Sequence, residues 1–204
     1  MHTILKSNSK EAVIGQDRPF VLIGEKINPT GRKKLAAALM EGNLDYAVEL
    51  AVNQVSWGAE VLDINVGVPG LDEVSVITKL VQLISMSVDI PLCLDSANPK
   101  VLAAGLAAAP GKPLVNSVSG EEAKLKMILP LVKERGAAVI GLTMDDNGIP
   151  KTPEERIAVA EKILERASKA GIPTEDIIID PLVLTVRADS KAALVTLQTV
   201  ELRR

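Results

Sequence analysis

Six short apolar runs recur along this chain, and no hairpin signal stands between any two of them. The runs are FVLIG (20–24), EVLDIN (60–65), PLCLD (91–95), PLVNSV (113–118), AAVIGLTM (137–144) and DIIID (176–180). Between them lie longer tracts with helical character. Strands that alternate with helices return in the same direction, because a parallel neighbour cannot be reached by a tight turn. Strands that are continuously apolar also need cover on both faces. The chain is therefore read as α/β, a parallel sheet sheathed by helices. Two architectures meet that description, an open doubly wound sheet and a (β/α) barrel.

Caps and spacing locate the helices. One tract starts near Arg32, breaks at Gly42-Asn43, and resumes with Leu44, Ala47, Val48, Ala51, Val52 and Val55 at helical intervals. Another follows GVPGLDE and reaches about Ser87. Asn98-Pro99 offers an N-cap and a first-turn proline. Ser119-Gly120-Glu121-Glu122 and Thr152-Pro153-Glu154-Glu155 both read as capping boxes, the second opening a helix to about Ala170. A last helix follows PLVLTVRADS and runs to Arg204. With 204 residues and no composition break, residues 20–204 are expected to form one domain, with 1–19 as an N-terminal extension.

Composition narrows the chemistry. The net charge is -3, with no basic block and with one Trp, one Tyr and one Phe, so nucleic-acid binding has little support. The only histidine is His2, at the terminus, and the only cysteine is Cys93, inside an apolar run. A Ser/His/Asp triad, a Cys/His pair and a His- or Cys-based metal site are thereby excluded from the body of the chain. No stretch approaches the roughly 20 apolar residues of a membrane span, and MHTILKSNSKEAVIGQDRP lacks the features of a signal peptide. The expected setting is the cytoplasm. Chemistry must run on carboxylates, amides, hydroxyls, lysines and backbone.

Polar residues of those kinds collect at the strand ends. Glu25 and Asn28 follow the first run, Asp63 and Asn65 end the second, and Asp95, Ser96 and Asn98 end the third. Asn116 and Ser117 end the fourth, Thr143, Asp145 and Asp146 the fifth, and Asp180 the sixth. In parallel α/β architectures these ends share one side of the molecule, where active sites of barrels are built. Asn98, Ser119 and Thr152 read as helix caps. Asp63, Asp95, Asn116 and Asp180 stand on the strands before the loops turn, and their side chains are expected to point into the mouth. Few cations lie nearby beyond Lys26, Arg32 and Arg187. Carboxylates and amides in that mix suit a flat heterocycle with an amino-imino-keto edge better than a phosphate. The G-x-G-x-x-G motif is absent and GLAAAPGKP is not a P-loop. Oxygen ligation of Mg²⁺ stays open, but no metal site is assigned.

The segments GEKINPTG (24–31), DINVGVPG (63–70), CLDSANP (93–99), VNSVSGE (115–121), IGLTMDDNGIPKT (140–152) and IIDPLVL (178–184) resemble the pterin-binding methyltransferase family. That family includes methyltetrahydrofolate:corrinoid-protein methyltransferases and the folate domain of cobalamin-dependent methionine synthase, with dihydropteroate synthase more distant. The resemblance implies a TIM (β/α) barrel of which about six of eight units are present. It implies that Asp95, Asn116 and Asp180 hydrogen-bond the pterin ring, with Asp63, Asn65, Glu25 and Asn28 lining the same cavity. It also implies the reaction, transfer of the N5-methyl group of methyltetrahydrofolate to cobalt(I) of a corrinoid carried by a partner protein. The alternatives are a dihydropteroate synthase-like condensation, or a non-catalytic pterin-binding fragment. The chain stops in its sixth helix, at LQTVELRR, without the strand-seven amide that the family places near N5, so no catalytic residue is assigned. The expectation is a truncated barrel or one completed by a second polypeptide, with its open edges favouring a homodimer.

Overall fold

The computed structural model describes residues 1–183 and 192–202. The chain opens with an antiparallel hairpin, β1 (His2–Lys6) and β2 (Glu11–Gly15), in which Leu5 faces Ala12. Six parallel strands follow, alternating with helices: β3 (Ile23–Ile27), α1 (Lys33–Met40) and α2 (Asp45–Ser56), β4 (Val61–Ile64), α3 (Glu73–Ser87), β5 (Leu92–Asp95) and α4 (Pro99–Ala108). Next come β6 (Leu114–Ser119), α5 (Glu122–Arg135), β7 (Ala138–Leu142), α6 (Pro153–Lys169), β8 (Ile177–Asp180) and α7 (Ala192–Glu201). The strands pair in sequence order, and among the described residues nothing pairs β3 with β8. This is an α/β fold, a (β/α) barrel left open between its first and sixth strands. Segment 184–191, with Arg187, and the chain end at Arg204 lie outside the described residues.

Period-two alternation gives each strand two jobs. Outward-facing Leu62, Ile64, Leu92, Leu94, Val115 and Val139 pack in the main core with helix residues such as Ile77, Leu80, Ile84, Leu102, Ile128 and Ile163. Inward-facing Val61, Cys93, Leu114 and Ala138 form a second cluster, and the hairpin supplies its other two members, Leu5 and Ala12. Fully burying a side chain like Leu5 contributes about 1.5–3 kcal/mol. The hairpin thus floors the sheet interior at the strands' N-terminal ends. Lys6 and Lys112 exchange backbone bonds of 3.0 Å, the Thr3 hydroxyl donates to the Glu175 carbonyl at 2.6 Å, and Lys112 pairs with buried Asp176 at 2.5 Å. Gly111 makes the close approach possible. Its φ is 63°, and a Cβ there would stand 2.2 Å from the Lys6 carbonyl oxygen.

Two local readings need correction. The first barrel strand is Ile23–Ile27, three residues later than FVLIG, and Phe20 is fully exposed. Apolar character misleads here because pairing begins only at Ile23 opposite Val61. Glu25 therefore lies within the strand, at an irregularity in its register, where the Lys26 N–H donates to the Gln54 side-chain oxygen at 2.7 Å. Ser119 does not cap α5. It is the last residue of β6, and the cap position belongs to Glu121. By contrast Asn98 accepts from the Lys100 N–H and Thr152 makes a full capping box with Glu155.

Candidate functional site

On four strands the inward-facing row changes from apolar to polar toward the C-terminal end: Val61-Asp63-Asn65, Cys93-Asp95, Leu114-Asn116 and Ile178-Asp180. Register then sets who meets whom. Asp95 stands opposite Asn116, and Asp63 lies level with Cys93. The Asn116 amide donates to the Asp63 carboxylate at 2.9 Å, reaching across β5, and the Asn65 amide donates to the Asp95 carboxylate, also at 2.9 Å. Asn65 is itself held by the Gly67 N–H, which donates to its side-chain oxygen at 2.7 Å. Two carboxylates and two amides on three adjacent strands thus form one interlocked group.

Its electrostatics follow from burial. Asp63 is 5% exposed, and desolvation raises its pKa above the usual 3.8. Bonds from Asn116 and Cys93 pull it down, while the charges of Asp95 and Glu25 push it further up. Asp95 is likewise raised by burial and opposed by the Asn65 bond. Burial, and the nearby Asp63, drive the Cys93 thiol well above its ordinary range, so this cysteine is core filling and no nucleophile.

A cleft of about 170 Å³ opens beside the group, lined by Asp95, Ser96, Ala97, Asn116, Ser117, Ser119, Glu121, Lys124, Ile128, Leu142 and Met144. The Asn116–Ser117 peptide on its wall is cis. Ser119, read as a cap from sequence, faces this cleft, with its hydroxyl donating to Glu121 at 2.9 Å. Glu121 reads from sequence only as part of a helix cap, and Lys124, in the first turn of α5, looks like ordinary surface charge.

The other expected site residues make their hydrogen bonds outside this group. Asp180 ends β8, level with Leu142. Its backbone carbonyl accepts from the Thr143 N–H at 3.0 Å and its carboxylate from the Leu182 N–H at 2.7 Å. Glu25 is exposed on the rim, paired with Arg32 at 3.3 Å and Lys26 at 3.5 Å. Asn28 bonds the Thr30 N–H in its own loop. Asp145 closes a turn with Gly148, and Thr143 is fully buried. Among the described residues no His/Cys/Asp/Glu cluster has the makings of a metal site, and no helix is long and apolar enough to cross a membrane.

Comparison with known proteins identifies relatives of this chain. A methionine synthase from Mycobacterium tuberculosis is 32% identical over 177 residues, 84% of this chain and 15% of that protein's length. Among solved structures, dihydropteroate synthase from Xanthomonas albilineans in complex with 7,8-dihydropteroate superposes with a TM-score of 0.72 over 98% of this chain and 74% of its own, at 19% identity. The Yersinia pestis dihydropteroate synthase gives a TM-score of 0.64 over 94% of this chain and 69% of its own, at 19% identity. These structural likenesses establish the fold. The family model for pterin binding enzymes matches residues 24–203, from β3 to beyond α7, and the chain belongs to that family.

Proposed function

We propose that the chain binds a reduced folate by its pterin ring at the strand-end mouth and presents the N5-methyl group for transfer to cobalt(I) of a corrinoid carried by a partner protein. The interlocked carboxylates and amides carry this reading. A carboxylate accepts paired N–H bonds from an amino-imino edge, and an amide complements a ring nitrogen and carbonyl. Asp95 and Asn116 line the cleft side by side, in register, as such an edge requires. Asp180 is assigned the far end of the ring. The kinship with methionine synthase favours a methylated folate as the donor.

The chemistry suits a site without a nucleophile. Methyl leaves N5 with neither electron of its C–N bond and the acceptor supplies the new pair, so N5 departs as an amine that must gain a proton. The protein's task is to orient the ring, exclude water and stabilise positive character at N5. A mouth rich in carboxylates does that. The partner docks around this mouth, in the cytoplasm.

A second reading, a dihydropteroate synthase-like condensation, draws on the fold of the structural neighbours. It shares the pterin contacts but expels a diphosphate, which calls for cations. Lys26 and Arg32 are already paired with Glu25, leaving Lys124, among the described residues, as the cation lining the cleft. That balance favours methyl transfer.

Calorimetric titration with methyltetrahydrofolate tests the shared part. Asp95→Ala is expected to weaken binding by about 1–3 kcal/mol. Unchanged affinity in that variant removes Asp95 from the site. Demethylation of the bound folate by a reduced corrinoid protein, against condensation of a pterin diphosphate with 4-aminobenzoate, separates the two readings.

A further inference from the structure

Arg156, in the first turn of α6, is 2% exposed, and among the described residues no carboxylate is hydrogen-bonded to it, although the charge of Asp180 acts on it. Burying a guanidinium costs several kcal/mol unless its donors are satisfied. Here the acceptors are chiefly backbone. Nε donates to the Pro150 carbonyl at 3.0 Å, and the two hydrogens of Nη1 are shared among the Pro181 carbonyl at 2.7 Å, the Leu182 carbonyl at 2.7 Å and the Thr196 hydroxyl at 3.0 Å. Thr196 reinforces the grip, its hydroxyl donating to the same Leu182 carbonyl at 2.7 Å.

Those two carbonyls belong to the turn immediately after Asp180. Leu182 has a φ of 58°, a left-handed conformation that a branched side chain adopts only when its surroundings impose it. In that conformation the Leu182 N–H points back and donates to the Asp180 carboxylate at 2.7 Å. One residue therefore links both ends: its carbonyl is held by Arg156 and Thr196, and its N–H fixes the carboxylate. Several carbonyls in fixed directions suit the planar fork of Arg and not the single ammonium of Lys.

We propose that Arg156 is a positioning residue for the pterin site, holding the Pro181-Leu182 turn so that the Asp180 carboxylate keeps its place at the mouth. The inference rests on the reading of Asp180 as a pterin contact. Arg156 itself touches no substrate. Its contribution to binding is made wholly through Asp180, and this separates it from a residue that merely stabilises the fold.

The experiment is pterin titration of the full chain with methyltetrahydrofolate, using Arg156→Lys and Thr196→Val, each in wild-type, Asp180→Ala and Asp95→Asn backgrounds. Circular dichroism of every variant checks folding. Arg156→Lys is expected to weaken binding about tenfold, on the scale of coupled neighbours. That loss should vanish in the Asp180→Ala background and persist in the Asp95→Asn background. Thr196→Val should follow the same pattern with a smaller loss, and it decides the matter should Arg156→Lys not fold. An equal loss in all three backgrounds, or no loss, overturns the inference while leaving the pterin reading intact. A folded wild type that binds no pterin overturns that reading, and this inference with it.

Discussion

Asp63 occupies an uncomfortable position, a carboxylate in the interior row with Cys93 on one side and the charges of Asp95 and Glu25 within reach. Burial favours its neutral form, so the folded protein holds this proton to a higher pH than the unfolded chain does. Between the ordinary value of 3.8 and the raised folded value, folding takes up protons, and stability falls as pH rises through that window. The contribution is fully present below the unfolded value and lost above the folded one. Asp63→Asn keeps an acceptor for the Asn116 amide and removes the titration. The variant should therefore gain stability over wild type as pH climbs from acid toward neutral, then level off. Denaturant midpoints across that range read the difference directly. A difference that is flat, or that grows toward acid, contradicts the burial argument.

At the level of elements, caps set where the helices begin and thus where the loops at the mouth end. Thr152 and Glu155 satisfy each other's backbone N–H groups, so the start of α6 was legible in four letters of sequence. Ser119 opens the same capping-box pattern, yet caps no helix. The reason is tertiary: the Gly120 N–H donates to the Met144 carbonyl at 2.7 Å, and a Cβ at Gly120 would meet Val159 at 2.7 Å. That contact keeps β6 extended through Ser119 and moves the cap to Glu121. Strand β3 misled similarly, because Gln54 on α2 supplies the acceptor that lets the strand continue through Glu25 and Lys26. Local chemistry was readable, but partners 24 to 39 residues away were not. Thr152→Ala is expected to cost about 1 kcal/mol and to speed amide exchange in the first turn of α6. Ser119→Ala should leave exchange at the start of α5 unchanged. Hydrogen-exchange mass spectrometry distinguishes the two, and faster exchange at α5 in the Ser119 variant would restore its role as a cap.

For the molecule as a whole, polar residues can gather at the mouth because something apolar closes the other end. That floor is the hairpin of β1 and β2, within a segment read from sequence as an extension beyond the barrel. HTILK and EAVIG are too short for their alternation to speak, and their partner Lys112 lies 106 residues from Lys6. Leu5 is fully buried against Val61, Cys93, Leu114 and Ala138, whereas Ile4, next to it on the strand, is 36% exposed. Truncating Leu5 leaves a cavity beneath four strands that have little freedom to collapse into it. Leu5→Ala should cost about 2–5 kcal/mol, against less than about 1 kcal/mol for Ile4→Ala. Total stability in domains of this size is about 5–15 kcal/mol, so the first loss is a large fraction of the whole. Urea unfolding of the two variants checks the argument, provided the slope of the transition is preserved. Similar small losses in both would make the hairpin an appendage. A large loss confined to Leu5 makes it part of the barrel's core, and with it part of what holds Asp63 and Asp95 in register at the opposite end.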